Sequence, residues 1–376
     1  MRIAFSGLLI LHGLIHLLGF AKAFGLAELP LLTQPISRTH GVVWLAAGLL
    51  MLASALTPVR WLWLVGAIAV VVSSFVIFSA WHDAKLGFVA NVIVLLGVAY
   101  AFAAQGPLSF AAEYRRDIAS ILTNPGTSAT VTEADLTPLP APIQRYLRLT
   151  GSVGQPRILN FRIQWKGRMR KSASEPWMSF QAEQVNTFDS VPTRLFSMRA
   201  VMKGLPVDIY HRFIADSATF RVRLLSLVTM VDAKGPIMDR SETVTILNDL
   251  CMFAPSALLD PAMRWEASDR SSATVAFTRG AHTVRAELRF NAAGELVDFV
   301  SDDRSRASPD AKIFTAERWS TPLSKYRDFG ARRVATHGET RTHAPEGTFA
   351  YGEFDLQRVE YNLSSAARDG HYTPAI

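Results

Sequence analysis

The chain has 376 residues, 49% of them hydrophobic, and a net charge of +7 from 39 Lys/Arg against 32 Asp/Glu. That length admits two or more domains, and the dilute basic excess suits an anionic membrane surface while arguing against nucleic acid. A single cysteine, Cys251, excludes an internal disulfide and leaves the compartment unread.

The apolar excess sits at the start. Residues 1–110 carry five basic residues (Arg2, Lys22, Arg38, Arg60, Lys85) and two acidic ones (Glu28, Asp83). Four apolar stretches, 3–21, 40–56, 61–80 and 86–104, each approach the ~20 residues a helix needs to cross a bilayer. Ala21-Lys22-Ala23 mimics a leader cleavage site, but the first stretch is long for one and three more follow, so it reads as an anchor. The expectation is a multi-pass protein of the bacterial cytoplasmic-membrane type with both termini on one side. Arg2, Arg60, Arg115 and Arg116 against Lys22, Arg38 and Lys85 are too balanced to fix which side.

His12 and His16 lie at i and i+4, so they share one face of the first span. With His40 and His82 they form a candidate polar site for haem, a metal, a quinone or a proton. The favoured alternative is hydrogen bonding between helices, helped by small Gly13 and Gly19 at the packing face.

Residues 111–135, including the apolar-poor TNPGTSATVT, read as a linker. A short helix follows over 142–150, with Ile143, Tyr146 and Leu147 on one face. From Ile158 the apolar period becomes two. Phe161, Ile163, Trp165 and Met169 alternate with Arg162, Gln164, Lys166, Arg168 and Arg170, the pattern expected of a solvated sheet edge, with a surface meeting anionic lipid as the alternative. Asn291–Gly294 and Asp328-Phe329-Gly330 read as hairpin turns. About ten strands are expected, in meander order.

Within that run, residues 231–266 alone read as helix. Asp239 or Ser241 can cap it, with Glu242 in the first turn, and Val244, Leu247 and Cys251 at helical spacing. Pro255 ends it. The predicted fold class is therefore a four-helix transmembrane bundle (1–110), then an antiparallel α+β half-barrel with a helical plug (136–363) and a C-terminal tail (364–376).

The blocks LPAPIQRYLRLTGSVG, PWMSFQAEQ, VDAKGPIMDRSET, FAPSALLDPAMRWE and YRDFGARRVATHGE resemble a bacterial family catalogued only as a domain of unknown function. The order of strand, NAAGEL turn, strand and YRDFGARRVATHGE is also similar to the lipoprotein-carrier half-barrels of LolA/LolB type. That resemblance implies a curved sheet wrapped around apolar helices and holding acyl chains. The four-span part is similar in layout to small DoxX-like bundles. None of these resemblances supplies catalytic residues.

The sequence has no P-loop, no G-x-S-x-G, no H-E-x-x-H and no Cys/His metal spacing. Asp239 and Glu242, three apart on one helix, are the candidate catalytic pair of a hydrolase reading; capping is the favoured alternative. Trp177, Phe180, Val244, Leu247, Trp265 and Trp319 are the expected ligand-binding residues, with core packing the alternative for the tryptophans. The leading expectation is a non-enzymatic membrane protein holding membrane lipid or an apolar small molecule, possessing no metal site and no cofactor in the soluble domain. The alternative to both is a haem- or quinone-binding redox or sensory bundle using His12 and His16.

Overall fold

The computed structural model describes residues 2–122, 128–188, 192–308 and 312–364. Residues 123–127 of the expected linker, and all but one residue of the expected tail, lie outside the described residues. The described residues form two compact units, one mainly of residues 2–113 and one mainly of residues 114–364.

The first unit contains α1 (Arg2–Ala23), α2 (Arg38–Leu56), α3 (Val59–Ser79), a single turn α4 (Trp81–Ala84) and α5 (Leu86–Gln105). It has four helices long and apolar enough to cross a membrane. Their outer faces expose Leu11, Ile15, Val71, Phe75 and Leu96, a surface that suits lipid and not water. α1 and α2 meet where Gly13 faces Gly48. A Cβ on Gly13 would stand 3.0 Å from the Gly48 carbonyl, and one on Gly48 2.9 Å from the Gly13 carbonyl. Only glycine allows that backbone approach, which supplies the packing attraction that lipid does not.

The second unit begins within α6 (Phe110–Ile121), so the expected linker holds a helix, followed by one turn α7 (Glu133–Leu136) and then α8 (Ala141–Leu149). Six strands run as a meander: β1 (Asn160–Met169), β2 (Met178–Thr187), β3 (Thr193–Met202), β4 (Leu205–Ile214), β5 (Ser217–Leu224) and β6 (Val228–Lys234). The plug α9 (Pro236–Phe253) and a 3₁₀ turn, Pro255–Leu259, interrupt them. The strands resume with β7 (Met263–Ser268), β8 (Ser272–Arg279), β9 (His282–Phe290) and β10 (Leu296–Ser301). After a separate ribbon of β11 (Ser305–Ala307) and β12 (Phe314–Ala316) come β13 (Arg318–Ser320), β14 (Leu323–Phe329), β15 (Arg332–Ala344) and β16 (Gly347–Tyr361).

The main sheet runs β6-β5-β4-β3-β2-β1-β16-β15-β13-β10-β9-β8-β7, with β14 also on β15. Its margins, β6 and β7, do not pair among the described residues, so the sheet is open. The expected α+β half-barrel with a plug is thus the observed architecture. The β9–β10 hairpin turns across Asn291–Gly294 as expected; the β14–β15 hairpin turns at Gly330-Ala331, with Asp328 and Phe329 of the expected turn still paired in β14.

β1 departs from its expected place. It is flanked by β2 and β16, with Phe161 opposite both Asn186 and Tyr361. A strand's own alternation reports its two faces and not its neighbours. Arg162, expected in solvent, is 4% exposed and lies 3.8 Å from Glu183.

α9 begins at Pro236, earlier than either expected cap, with Gly235 at φ 110° before it. Proline suits that first position because its missing N–H would have no partner there. Every residue from Ser241 to Phe253 is buried, so the helix is covered on all sides. Val244, Leu247, Ile143, Tyr146 and Leu147 join the strands in one core. Each such side chain contributes about 1.5–3 kcal/mol by leaving water. The Tyr146 hydroxyl donates to the Cys251 carbonyl at 2.8 Å and ties α8 to α9.

Candidate functional site

Total burial of α9 includes its polar residues, and these need partners. Glu242 and Asp249 are seven residues apart, two turns along one face. That face meets β2, β3 and β4, whose inward positions carry Gln184, Asn186, Arg194 and His211. Arg194 lies between the two carboxylates. Its Nη1 donates to Glu242 Oε1 at 2.9 Å and its Nε to Asp249 Oδ2 at 2.8 Å. Gln184 Nε2 and Asn186 Nδ2 donate to the same Asp249 oxygen at 2.7 and 3.0 Å. His211 Nε2 stands 3.0 Å from Glu242 Oε2 as an ion-pair contact.

The two carboxylates are driven apart in acidity. Burial pushes Glu242 up, but the charges of His211 and Arg194 outweigh it and hold the carboxyl down at about 2. Burial also pushes Asp249 up, and Arg194 only partly offsets it, so its carboxyl stays above the usual range. Glu242 is therefore the more firmly ionised of the two carboxylates.

Beside this network lies a partly open cavity of about 80 Å³. Trp165, Phe196, Met252, Phe253, Trp319 and Phe354 give it mainly apolar walls. Thr245, Asn248, Asp249 and Arg194 supply a polar part, and His337 to Thr340 line it from β15. Small-molecule sites are commonly ~300–1,000 Å³, so this space takes a head group or a few carbons and not a whole diacyl lipid. A larger cleft, about 290 Å³, is lined by Lys166, Lys325, Arg327 and Asp355. It is polar and lacks the aromatic walls that make the smaller cavity the better apolar site.

Of the expected ligand-binding residues, Trp319 lines the cavity and donates through Nε1 to the Tyr351 hydroxyl at 2.8 Å. Phe180 packs beside Phe354, which also lines it. Val244 and Leu247 are fully buried core. Trp265 is a partly buried neighbour of that core, and Trp177 stacks under Arg168 and Arg170. The expected pair Asp239 and Glu242 is not brought together over one cleft. Asp239 accepts the Ala218 amide at 2.6 Å and fastens the start of α9 to β5, whereas Glu242 faces Arg194.

In the first unit, His12 Nε2 bonds Asn91 Oδ1 and His16 Nε2 bonds the Ser73 hydroxyl, both at 2.9 Å. Asn91 Nδ2 donates to Ser74 at 3.0 Å. These bonds link α1, α3 and α5. His40 instead bonds Ser37 and stacks on Phe75, and His82 is exposed. Among the described residues no three His, Cys, Asp or Glu side chains group as metal ligands.

Sequence reasoning had found Glu242 but missed Arg194, His211, Asp249, Gln184 and Asn186. A signal was present. Arg194 shares a strand face with Phe196, Met198 and Ala200, His211 with Ile209 and Phe213, and Gln184 and Asn186 with Phe180 and Ala182. Polar residues on a strand's apolar face imply buried partners.

A family model described as a family of unknown function, DUF6544, matches residues 129–354. The chain belongs to this family. The match covers the half-barrel and plug, where the quoted sequence blocks lie, and meets the expectation of an uncharacterised family. No curated protein matches. Among solved structures, a putative outer membrane lipoprotein-sorting protein domain from Vibrio parahaemolyticus is 9% identical, over 56% of this chain and 89% of its own, with a TM-score of 0.35. A LolA-superfamily protein from Nitrosomonas europaea is also 9% identical, over 58% and 92%, with a TM-score of 0.31. A DUF1329-family protein from Desulfovibrio piger is 12% identical, over 61% and 96%, with a TM-score of 0.28.

Proposed function

We propose that this DUF6544 member is a membrane-anchored binding protein that holds an apolar or lipid-like ligand between α9 and the concave face of its half-barrel. The observation that carries the reading is the aromatic-walled cavity beside α9, formed in a domain that shares its chain with four apolar helices. Bulky aromatic walls with few polar groups favour partly apolar molecules, and the polar groups set orientation.

The test is purification of the full chain from its native membrane, followed by mass spectrometry of co-purifying small molecules. Thr245 lines the cavity and among the described residues its side chain bonds only the Ser241 carbonyl of its own helix, so Thr245→Phe fills the space without removing a long-range bond among them. The reading expects a stoichiometric amphiphile with the native chain and its loss from the variant. The same lipid profile in both would reject it.

A further inference from the structure

The polar end of the cavity has bonding capacity that the protein leaves unused. All three hydrogen bonds to Asp249 end on Oδ2. Among the described residues nothing bonds Asp249 Oδ1, although the residue is 4% exposed. Arg194 spends Nε and Nη1 on Asp249 and Glu242, and among the described residues nothing bonds its Nη2. Asn248 accepts from the Thr321 hydroxyl at 2.8 Å through Oδ1, and its Nδ2 likewise takes no partner among them. None of these three atoms is sealed without solvent contact, and all three residues line the cavity. Buried groups of this kind cost about 1–3 kcal/mol each when left unmet, so a ligand or ordered water must satisfy them.

We infer that this end of the cavity recognises the head of a single-chain amphiphile, an uncharged hydroxyl or amide, with the chain lying between Trp165, Phe253, Trp319 and Phe354. The inference rests on the proposed ligand-binding function and names the class of ligand. The chemistry follows from the three open atoms. Arg194 Nη2 and Asn248 Nδ2 donate, so the head must accept. Asp249 Oδ1 is an acceptor, so the head must also donate. A hydroxyl or primary amide does both. A ligand carboxylate would lie against Asp249, with Glu242 a second negative charge in the same network. An alkylammonium would lie against Arg194 and has no acceptor for Asn248. A bare alkane leaves all three atoms unmet. The limited volume agrees, since it suits a small head and the first carbons of one chain.

The experiment is equilibrium dialysis of the full chain in phosphatidylcholine nanodiscs, with empty nanodiscs subtracted. The probes are 1-octanol, octanamide, octanoate, octylammonium and 1-chlorooctane. The expected result is that 1-octanol and octanamide bind at least ~10-fold more tightly than the other three, the scale of one or two well-placed hydrogen bonds. Asp249→Asn should weaken 1-octanol, whose hydroxyl loses its acceptor but keeps the two donors, and Asn248→Leu should weaken octanamide, each leaving 1-chlorooctane unchanged. The second variant removes no charge and guards against a misfolded first. Equal binding of 1-octanol and 1-chlorooctane would overturn the head-group inference and leave the apolar-ligand function standing. Tightest binding of octanoate or octylammonium would overturn it too. No excess binding of any probe over empty nanodiscs would remove both.

Discussion

Glu242 and Asp249 grip opposite sides of one guanidinium, that of Arg194, from points two turns apart on α9. The plug is therefore held against β3 by charge as well as by apolar packing. Removing one member of a buried ionic set costs about 3–5 kcal/mol, because the others are left buried and unpaired. Arg194→Met should destabilise the second unit by that amount. The triple variant Arg194→Met, Glu242→Gln, Asp249→Asn should recover most of the loss. Urea unfolding followed by circular dichroism measures both. A single variant as stable as the native chain would show that the set contributes nothing net.

Acid should loosen the same contact. The folded pKa of Glu242 lies below its unfolded value, so its stabilisation is complete above pH ~4.5 and is lost as the pH falls towards 2. About 2.5 units of displacement corresponds to roughly 3 kcal/mol. Glu242→Gln should remove this part of the acid dependence, which a series of thermal melts between pH 2 and 5 would reveal.

Glu183 has the opposite sign. Burial raises its carboxyl to about 6, with Arg162 pulling the other way. Tyr114 of α6 donates its hydroxyl to it at 3.1 Å. A raised acid favours folding most at low pH, so stability from this group should decline between pH 4.5 and 6, by about 2 kcal/mol. Melts of Glu183→Gln should lack that decline. A profile identical to the native one would assign the titration elsewhere.

α6 also sets where the second unit can be cut. Asp117 accepts from the Tyr210 hydroxyl at 2.6 Å and Arg212 Nε at 3.0 Å, and Tyr114 and Ile118 are buried. The apolar face of α8 packs into the sheet core. A chain starting at Thr132 should therefore fold cooperatively, and one starting at Tyr114 should melt several degrees higher. Calorimetry on the two distinguishes them. A molten shorter fragment would make α6 part of the fold's minimum.

In the first unit, Asn91→Leu removes bonds to His12, Ser73 and Ser74 and should weaken helix association by about 0.6–1.7 kcal/mol per bond lost. A shift in detergent-induced unfolding without any change in visible absorption is the expected signature of a packing role. A chromophore in the native chain that disappears with Asn91 would favour the redox reading.

Much of this architecture was legible from periodicity. The four spans, the change to period two at Ile158 and the lone helix after Gly235 each follow from local pattern. Strand order did not, because Phe161 and Tyr361 pair across a separation that no local pattern records. The site was half legible for a related reason. Arg194 on an apolar strand face announces a buried charge, but its partners on α9 follow only from the fold. Glu242 looked like a capping residue because the helix was expected to start at Asp239 or Ser241. Starting it at Pro236 moves Glu242 beyond the first turn and into the core.

The pairing of β1 with β16 also bears on how the chain is made. β1 leaves the ribosome about 200 residues before its partner, a delay of roughly 10–40 s at ordinary elongation rates. Throughout that interval the meander β1 to β6 presents β1 as an additional unpaired margin, whose inward residues are Phe161, Ile163 and Trp165. Exposed margins of this kind recruit strands from other chains. Arg162, Lys166, Arg168 and Arg170 alternate along that margin and act as gatekeepers against such pairing. The basic row of β1 thus guards the nascent polypeptide before Glu353 of β16 neutralises Arg168 in the finished sheet.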